Sequence, residues 1–217
     1  KRLTVISTGM GTDNVEILMN ELDALFNIDL KTREIKEEHT KLRIVRVGTS
    51  GSIQEDIRLG SHVMSEYGIG MDPMMHFYQF EMGEFEKGVA TALQESLDFP
   101  YSPYIIRGSD ELIELFKDVT IAGNTLTCHG FYGPQGRTLR IPIRYPDLIE
   151  KLNYFHHNDF WITNMEMETA GYYGLARALG HEMISLNAIL ANRVKNRFSK
   201  DPNKVIDSLI VKVLDRI

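Results

Sequence analysis

Short apolar runs closed by glycine or polar clusters alternate with longer stretches in which apolar residues recur every three or four positions. The first spacing is that of buried strands, the second that of amphipathic helices. Residues 3–7 (LTVIS) read as a strand ending in the 8–14 stretch, where Thr12, Asp13 or Asn14 can cap a helix carrying Val15, Leu18, Met19, Leu22, Leu25 and Phe26 on one face. The charged stretch 29–41 reads as an exposed loop or helix, and 42–47 as a second strand closed by Gly48-Thr49-Ser50-Gly51. Strands are expected at 62–67, 104–107, 119–128, 161–167 and 182–191, with helices at 84–97, 110–116, 146–155, 168–179 and 203–217. Gly180 is placed to stop the fourth of these helices. Residues 68–81, rich in Met and aromatics, and 130–136, with three glycines and a proline, read as loops.

Such alternation predicts an α/β fold, a parallel or mixed sheet with helices on both faces, in one domain over residues 1–217. Ligand sites in such sheets gather at strand carboxyl ends, here 8–12, 48–51, 128–137, 166–168 and 191–193. Length and composition fit this picture: 217 residues, 43% hydrophobic and 25% charged, are enough for a core without staples. The net charge of −6 argues against wholesale nucleic-acid binding, and the apolar runs are too short to span a membrane. A single cysteine, Cys128, excludes an internal disulfide and suits a reducing cytoplasm. The seven histidines show no metal-ligand spacing.

Four constellations carry candidate chemistry. Gly48-Thr49-Ser50-Gly51 directly after Arg46 is either an anion cradle or a plain tight turn, and the 8–12 loop is a second of the same kind. In 131–137, Phe131 offers a ring to stack on, Gln135 a paired donor and acceptor, and Arg137 a charge fork; the bland alternative is a surface loop. Glu166 and Glu168 end a strand, where Glu168 either accepts from vicinal hydroxyls or complements a helix N-terminus. The 72–77 stretch suits apolar packing or a subunit contact better than catalysis.

In chain order, STGMG at 7–11, RVGTSGSI at 46–53, FYGPQGR at 131–137, NMEMETAG at 164–171 and ILANR at 189–193 resemble the nucleoside phosphorylase superfamily, most of all its uridine phosphorylases. The resemblance implies a mixed, partly barrelled sheet flanked by helices and reversible phosphorolysis of a nucleoside. It implies that Arg46, Gly48 and Thr49 hold phosphate, and that Thr49, Met10, Met167 and Glu168 bind ribose. Phe131, Gln135, Arg137 and Arg193 form the base site, with Arg193 supporting Arg137, while Glu166 is secondary. By the same resemblance, Arg46, Gln135 and Arg137 are expected to carry catalysis, with inorganic phosphate as co-substrate and no metal or organic cofactor. Purine-cleaving relatives place an Asp, usually after Ser, past the last core strand, where this chain has Leu190-Ala191-Asn192-Arg193. A pyrimidine is therefore the expected base; a purine phosphorylase, a nucleosidase or a non-catalytic nucleoside-binding protein are the alternatives. Family members assemble as dimers or trimers of dimers whose neighbours complete each site, and residues 71–82 are a candidate contact. They also carry a further N-terminal segment with a second phosphate-binding Arg. No counterpart precedes Lys1, so the expectation is a shortened family domain with weak phosphorolysis and an exposed sheet edge beside residues 3–7.

Overall fold

The computed structural model describes residues 3–217. In chain order it runs α1 (Thr12–Asn27), β1 (Ile28–Asp29), β2 (Glu34–Ile35), β3 (Arg43–Ser52), β4 (His62–Gly70), α2 (Glu84–Leu97), β5 (Tyr104–Arg107) and α3 (Asp110–Phe116). It continues β6 (Ile121–Thr127), α4 (Leu148–Tyr154), β7 (His156–His157), β8 (Phe160–Trp161), β9 (Asn164–Glu166), α5 (Thr169–Leu179), β10 (Glu182–Asn192), β11 (Arg197–Phe198) and α6 (Pro202–Leu214). Among the described residues the main sheet has seven strands in the order β11-β10-β3-β9-β6-β4-β5, and β10 also pairs with β4. That extra pairing, Leu186 with Met64 and Ala188 with His62, closes β3, β10, β4, β6 and β9 into a small barrel. The sheet is mixed: β3 with β10, and β4 with β6 and β9, run parallel, whereas β3 meets β9 and β10 meets β4 antiparallel. The result is an α/β domain with a partly closed barrel and flanking helices.

Helices cover the barrel on two sides. One core packs α1, α3, α5 and α6 against β10 through Val15, Met19, Phe116, Tyr173, Leu186 and Leu209. The other packs α2 and α4 against β4 to β6 through Ile69, Leu93, Ile105, Leu126 and Leu152. Gly171 and Gly174 on α5 let Met74 and Met75 approach the helix. The 72–77 stretch therefore does pack, although Phe77 stays 84% exposed.

Several expectations are corrected. Residues 3–7 join no ladder and leave Val5 92% exposed, because apolar β-branched residues make a strand only where an edge accepts them. The free edges of the sheet are β5 and β11 instead. The apolar face of α1 fades toward its end, with Leu25 exposed, and Gly11 rather than a side chain stands at the N-cap position. The 29–41 stretch forms most of the β1–β2 hairpin, which begins at Ile28. The 161–167 strand is split, its start pairing with His156–His157 in a second hairpin. Residues 48–51 are not a turn at all: they continue β3 alongside β10, whose register shifts between Ile189 and Ala191.

One packing detail has a pH consequence. His62 at the start of β4 donates from Nε2–H to the Val205 carbonyl of α6 (3.0 Å), while its buried Nδ1 has no partner among the described residues. Burial pushes this imidazole below its ordinary 6.5. The native state therefore resists a proton that the unfolded chain accepts, so stability falls as pH drops through about 6.5 toward the native value. Denaturant unfolding between pH 8 and 5.5 checks this, and His62→Gln should flatten the slope; an equal slope in that variant would refute the assignment.

Candidate active site

Arg46 stands on β3 with its guanidinium folded back over Gly48. A methyl at position 48 would overlap Nη1 and Cζ, so glycine is needed there for space. Nη1 donates to Ser185 Oγ and Asn187 Oδ1, both at 3.0 Å. Nη2 donates to Glu168 Oε2 at 2.6 Å and lies 3.0 Å from Glu166 Oε2. Burial alone would lower the pKa of Arg46, but the two carboxylates outweigh it and hold the group above its ordinary value.

The two carboxylates have different work. Glu166 Oε2 accepts the Glu168 amide (2.9 Å), both its oxygens accept the Thr169 amide, and Oε1 takes the Thr127 hydroxyl (2.7 Å). It thus satisfies the open N-terminus of α5, the role sequence reading offered to Glu168. Burial pushes its carboxyl up, with Arg46 pulling against it. Glu168, at the N-cap position of α5, keeps its side chain for Arg46 and for the Gly11 amide, which donates to Oε1 at 2.7 Å. The 8–12 loop turns through positive φ at Gly9 and Gly11, and that turn aims the Gly11 amide at Glu168. Met10 on this loop is 77% exposed, Met167 is half-buried and Thr49 is exposed, so solvent reaches all three.

The second half of the site is the 131–137 loop, tightened by a short 3-10 turn over Gly133–Gln135 and by Gly136 at φ 66°. Arg137 Nη1 donates to the Phe131 carbonyl (2.7 Å) and to Gln135 Oε1, and its Cζ lies 3.9 Å from the Phe131 ring centre. One face of the ring expected to stack on a base is thereby covered by the loop's own arginine. Arg193 reaches over Gly51 and donates from Nη2 to the Gln135 carbonyl (2.9 Å), with Nη1 3.4 Å from Met165 Sδ. It props the loop through Gln135 and not through Arg137. Towards Arg137 it is a like charge, and burial together with that charge lowers the Arg137 pKa. A cavity of about 670 Å³ opens behind the loop, bordered by Arg137, Tyr101, Tyr145 and Leu148.

β9 joins the halves. Met165 meets Arg193, while the next residue, Glu166, meets Arg46. Cys128 lies beside this strand, its amide donating to the Glu166 carbonyl (2.8 Å) and its thiol pushed well up by burial, so no reactive thiolate forms there. Among the described residues no group of three or more His, Cys, Asp or Glu side chains could hold a metal ion. Sequence reading missed Ser185, Asn187, Thr127 and the Gly11 amide. The alternation of Ser185 and Asn187 in an otherwise apolar strand, both turned to one face, was the available signal.

Comparison with known proteins decides the family: the phosphorylase superfamily model matches residues 1–209. The chain belongs to the phosphorylase superfamily. Within this superfamily it is similar to a DeoD-type purine nucleoside phosphorylase of Buchnera aphidicola, 24% identical over all of this chain and 81% of that protein. It is similar also to a uridine phosphorylase of Thermococcus kodakarensis, 26% identical over 98% of this chain and 67% of that one. Among solved structures, a Trypanosoma brucei nucleoside phosphorylase that shows uridine phosphorylase activity superposes with a TM-score of 0.85, at 24% identity over 97% of this chain and 77% of its own. Uridine phosphorylase isoform 2 of Schistosoma mansoni superposes at 0.61, with 23% identity over 96% and 70%. These likenesses show the shared superfamily fold. Membership in the superfamily makes the chain a pentosyl-transferring enzyme of the nucleoside phosphorylase kind.

Proposed function

We propose that the chain catalyses reversible phosphorolysis of uridine to uracil and ribose 1-phosphate, a pyrimidine salvage reaction. The observation that carries the choice of base is the Gln135–Arg137 pair, held by Arg193 and joined through β9 to the Arg46–Glu168 pair. A Gln amide beside a guanidinium matches a pyrimidine edge, which alternates carbonyl and N–H. In the 190–193 stretch, the region where purine enzymes place their acid, Asn192 turns inward and donates to the Gln54 and Ile57 carbonyls. No carboxylate stands at 190–193 to protonate a purine nitrogen.

In this reading phosphate lies under the ribose C1, held by Arg46, the Gly48 backbone and Thr49. Glu168 accepts from the ribose hydroxyls, with Met167 and Met10 against the sugar. The glycosidic bond stretches first, leaving a cationic ribose that phosphate stabilises and then attacks. Gln135 and Arg137 take the negative charge that builds on the uracil carbonyls, so the base leaves without a separate acid. Arg137 covers one face of Phe131, so uracil stacks on the ring face that Arg137 leaves open. Phosphate is the co-substrate, and the mechanism calls on no metal or organic cofactor. Homo-oligomeric assembly, as a dimer or trimer of dimers with a neighbour completing each site, belongs to the same proposal and finds its candidate contact at exposed Phe77. So does a cytoplasmic setting; no described helix is long and apolar enough to cross a membrane.

Relatives at similar identity include purine nucleoside phosphorylases, which keeps purine phosphorolysis as the second reading. The test is phosphorus NMR of the chain with uridine and phosphate. Ribose 1-phosphate should appear in step with uracil and only when phosphate is present. Uracil and free ribose released at the same rate without phosphate would mean a nucleosidase.

A further inference from the structure

The inside of the barrel is polar, which is unusual for a barrel this narrow, whose interior side chains ordinarily fill it with apolar layers. Five hydrogen bonds cross it: Arg46 Nη1 to Asn187 Oδ1 (3.0 Å), Asn187 Nδ2 to Ser65 Oγ (3.0 Å), Ser65 Oγ to Thr125 Oγ1 (2.6 Å), Thr125 Oγ1 to Asn164 Oδ1 (3.0 Å) and Asn164 Nδ2 to Ser50 Oγ (2.9 Å). Asn187, Ser65, Thr125 and Asn164 are wholly buried. The chain follows the barrel closure strand by strand, from β3 through β10, β4, β6 and β9 back to β3.

Its direction is forced. A guanidinium only donates, so Asn187 must turn its oxygen to Arg46 and its amide N–H to Ser65. Ser65, accepting from Asn187, sends its own proton to Thr125, and Thr125 sends its proton to Asn164. Every dipole in the chain therefore presents its negative end toward Arg46. Successive bonds in a low-dielectric interior polarise one another, which favours the charged guanidinium beyond what one acceptor does.

We infer that Asn187 is a positioning residue for phosphate binding: with the barrel chain behind it, it holds the Arg46 guanidinium in one orientation, with Nη2 turned to Glu168 and Glu166. This rests on the phosphorolysis reading above. A purely structural role does not need it, because replacing both partners of a buried hydrogen bond by apolar groups of similar shape is close to neutral for stability. The chain is needed only if the Arg46 guanidinium must be held in one orientation.

The test uses the full chain and two variants. Asn187→Leu removes the acceptor at nearly the same size. Asn187→Asp keeps an acceptor for Arg46 but adds a negative charge that competes with phosphate. Both should raise the KM for phosphate roughly tenfold or more while the KM for uridine changes less than about threefold. Phosphate should also raise the Tm of the wild type more than that of either variant. If Asn187→Leu does not yield folded protein, Asn187→Ala, which removes the acceptor without adding charge, decides in its place. A folded variant with lowered Tm but a phosphate KM within about twofold of wild type would overturn the inference and leave the reaction standing. A wild type whose uridine cleavage ignores phosphate would overturn both.

Discussion

Arg46→Leu is expected to lose about 3–5 kcal/mol of stability and at least about two to three orders of magnitude in turnover. Among the described residues, Arg46 is the cation in contact with two buried carboxylates, Glu166 and Glu168, at 3.0 and 2.6 Å. Removing it strands both charges in a site that admits little water, where an unpaired carboxylate costs several kcal/mol. The loss has a pH signature. With Arg46 gone, burial and mutual repulsion push the Glu166 carboxyl further above its ordinary value. The folded variant then holds protons that its unfolded chain releases, so its deficit against wild type shrinks as pH falls from 7 toward 5. Urea unfolding at both pH values reads this directly. A deficit that is absent at pH 7, or larger at pH 5, would contradict the ion-pair geometry. The activity loss has the same origin, since the group proposed to hold phosphate also fixes Glu168, the proposed acceptor for ribose.

Local structure was largely legible from the order of residues. The 84–97 and 110–116 helices and the 104–107 strand were each read at the limits the fold shows, because apolar spacing and flanking Gly, Ser or Asp mark them independently of the rest of the chain. Features set by long-range pairing were not legible. Gly48-Thr49-Ser50-Gly51 has the chemistry of a turn, yet ten residues of β3 stay extended because β10 runs beside it from Arg43 to Ser52. Residues 3–7 have the composition of a strand and lack a ladder. For the site, Arg46, Glu168, Gln135 and Arg137 were named from residue type and order. What could not be seen is that Glu166 spends its oxygens on α5, that Arg193 holds a carbonyl of Gln135, and that Asn187 meets Arg46 across the barrel. Each of these joins residues at least two positions apart through a register or turn that only the folded chain sets.

Arg137→Ala is the second large effect. Its guanidinium donates to Gln135 Oε1 and the Phe131 carbonyl and covers the Phe131 ring. The truncation removes a donor proposed for the uracil carbonyl and also releases the Gln135 amide from its fixed orientation. A preorganised donor of this kind is worth about 3–4 kcal/mol at the transition state, so kcat/KM for uridine should fall roughly a hundredfold or more. Stability should move little, because the side chain is only half-buried and makes no ion pair among the described residues. Base choice is the part of the reading on which the similar purine and uridine phosphorylases divide, and Arg137 is the residue proposed to make that choice here. The decisive measurement is therefore kcat/KM for uridine and for inosine, at saturating phosphate, in the wild type and in Arg137→Ala. A pyrimidine site gives a wild type that prefers uridine by a hundredfold or more, a preference the variant largely loses. A wild type that cleaves inosine as well as uridine, or a variant that keeps the full uridine rate, would contradict it.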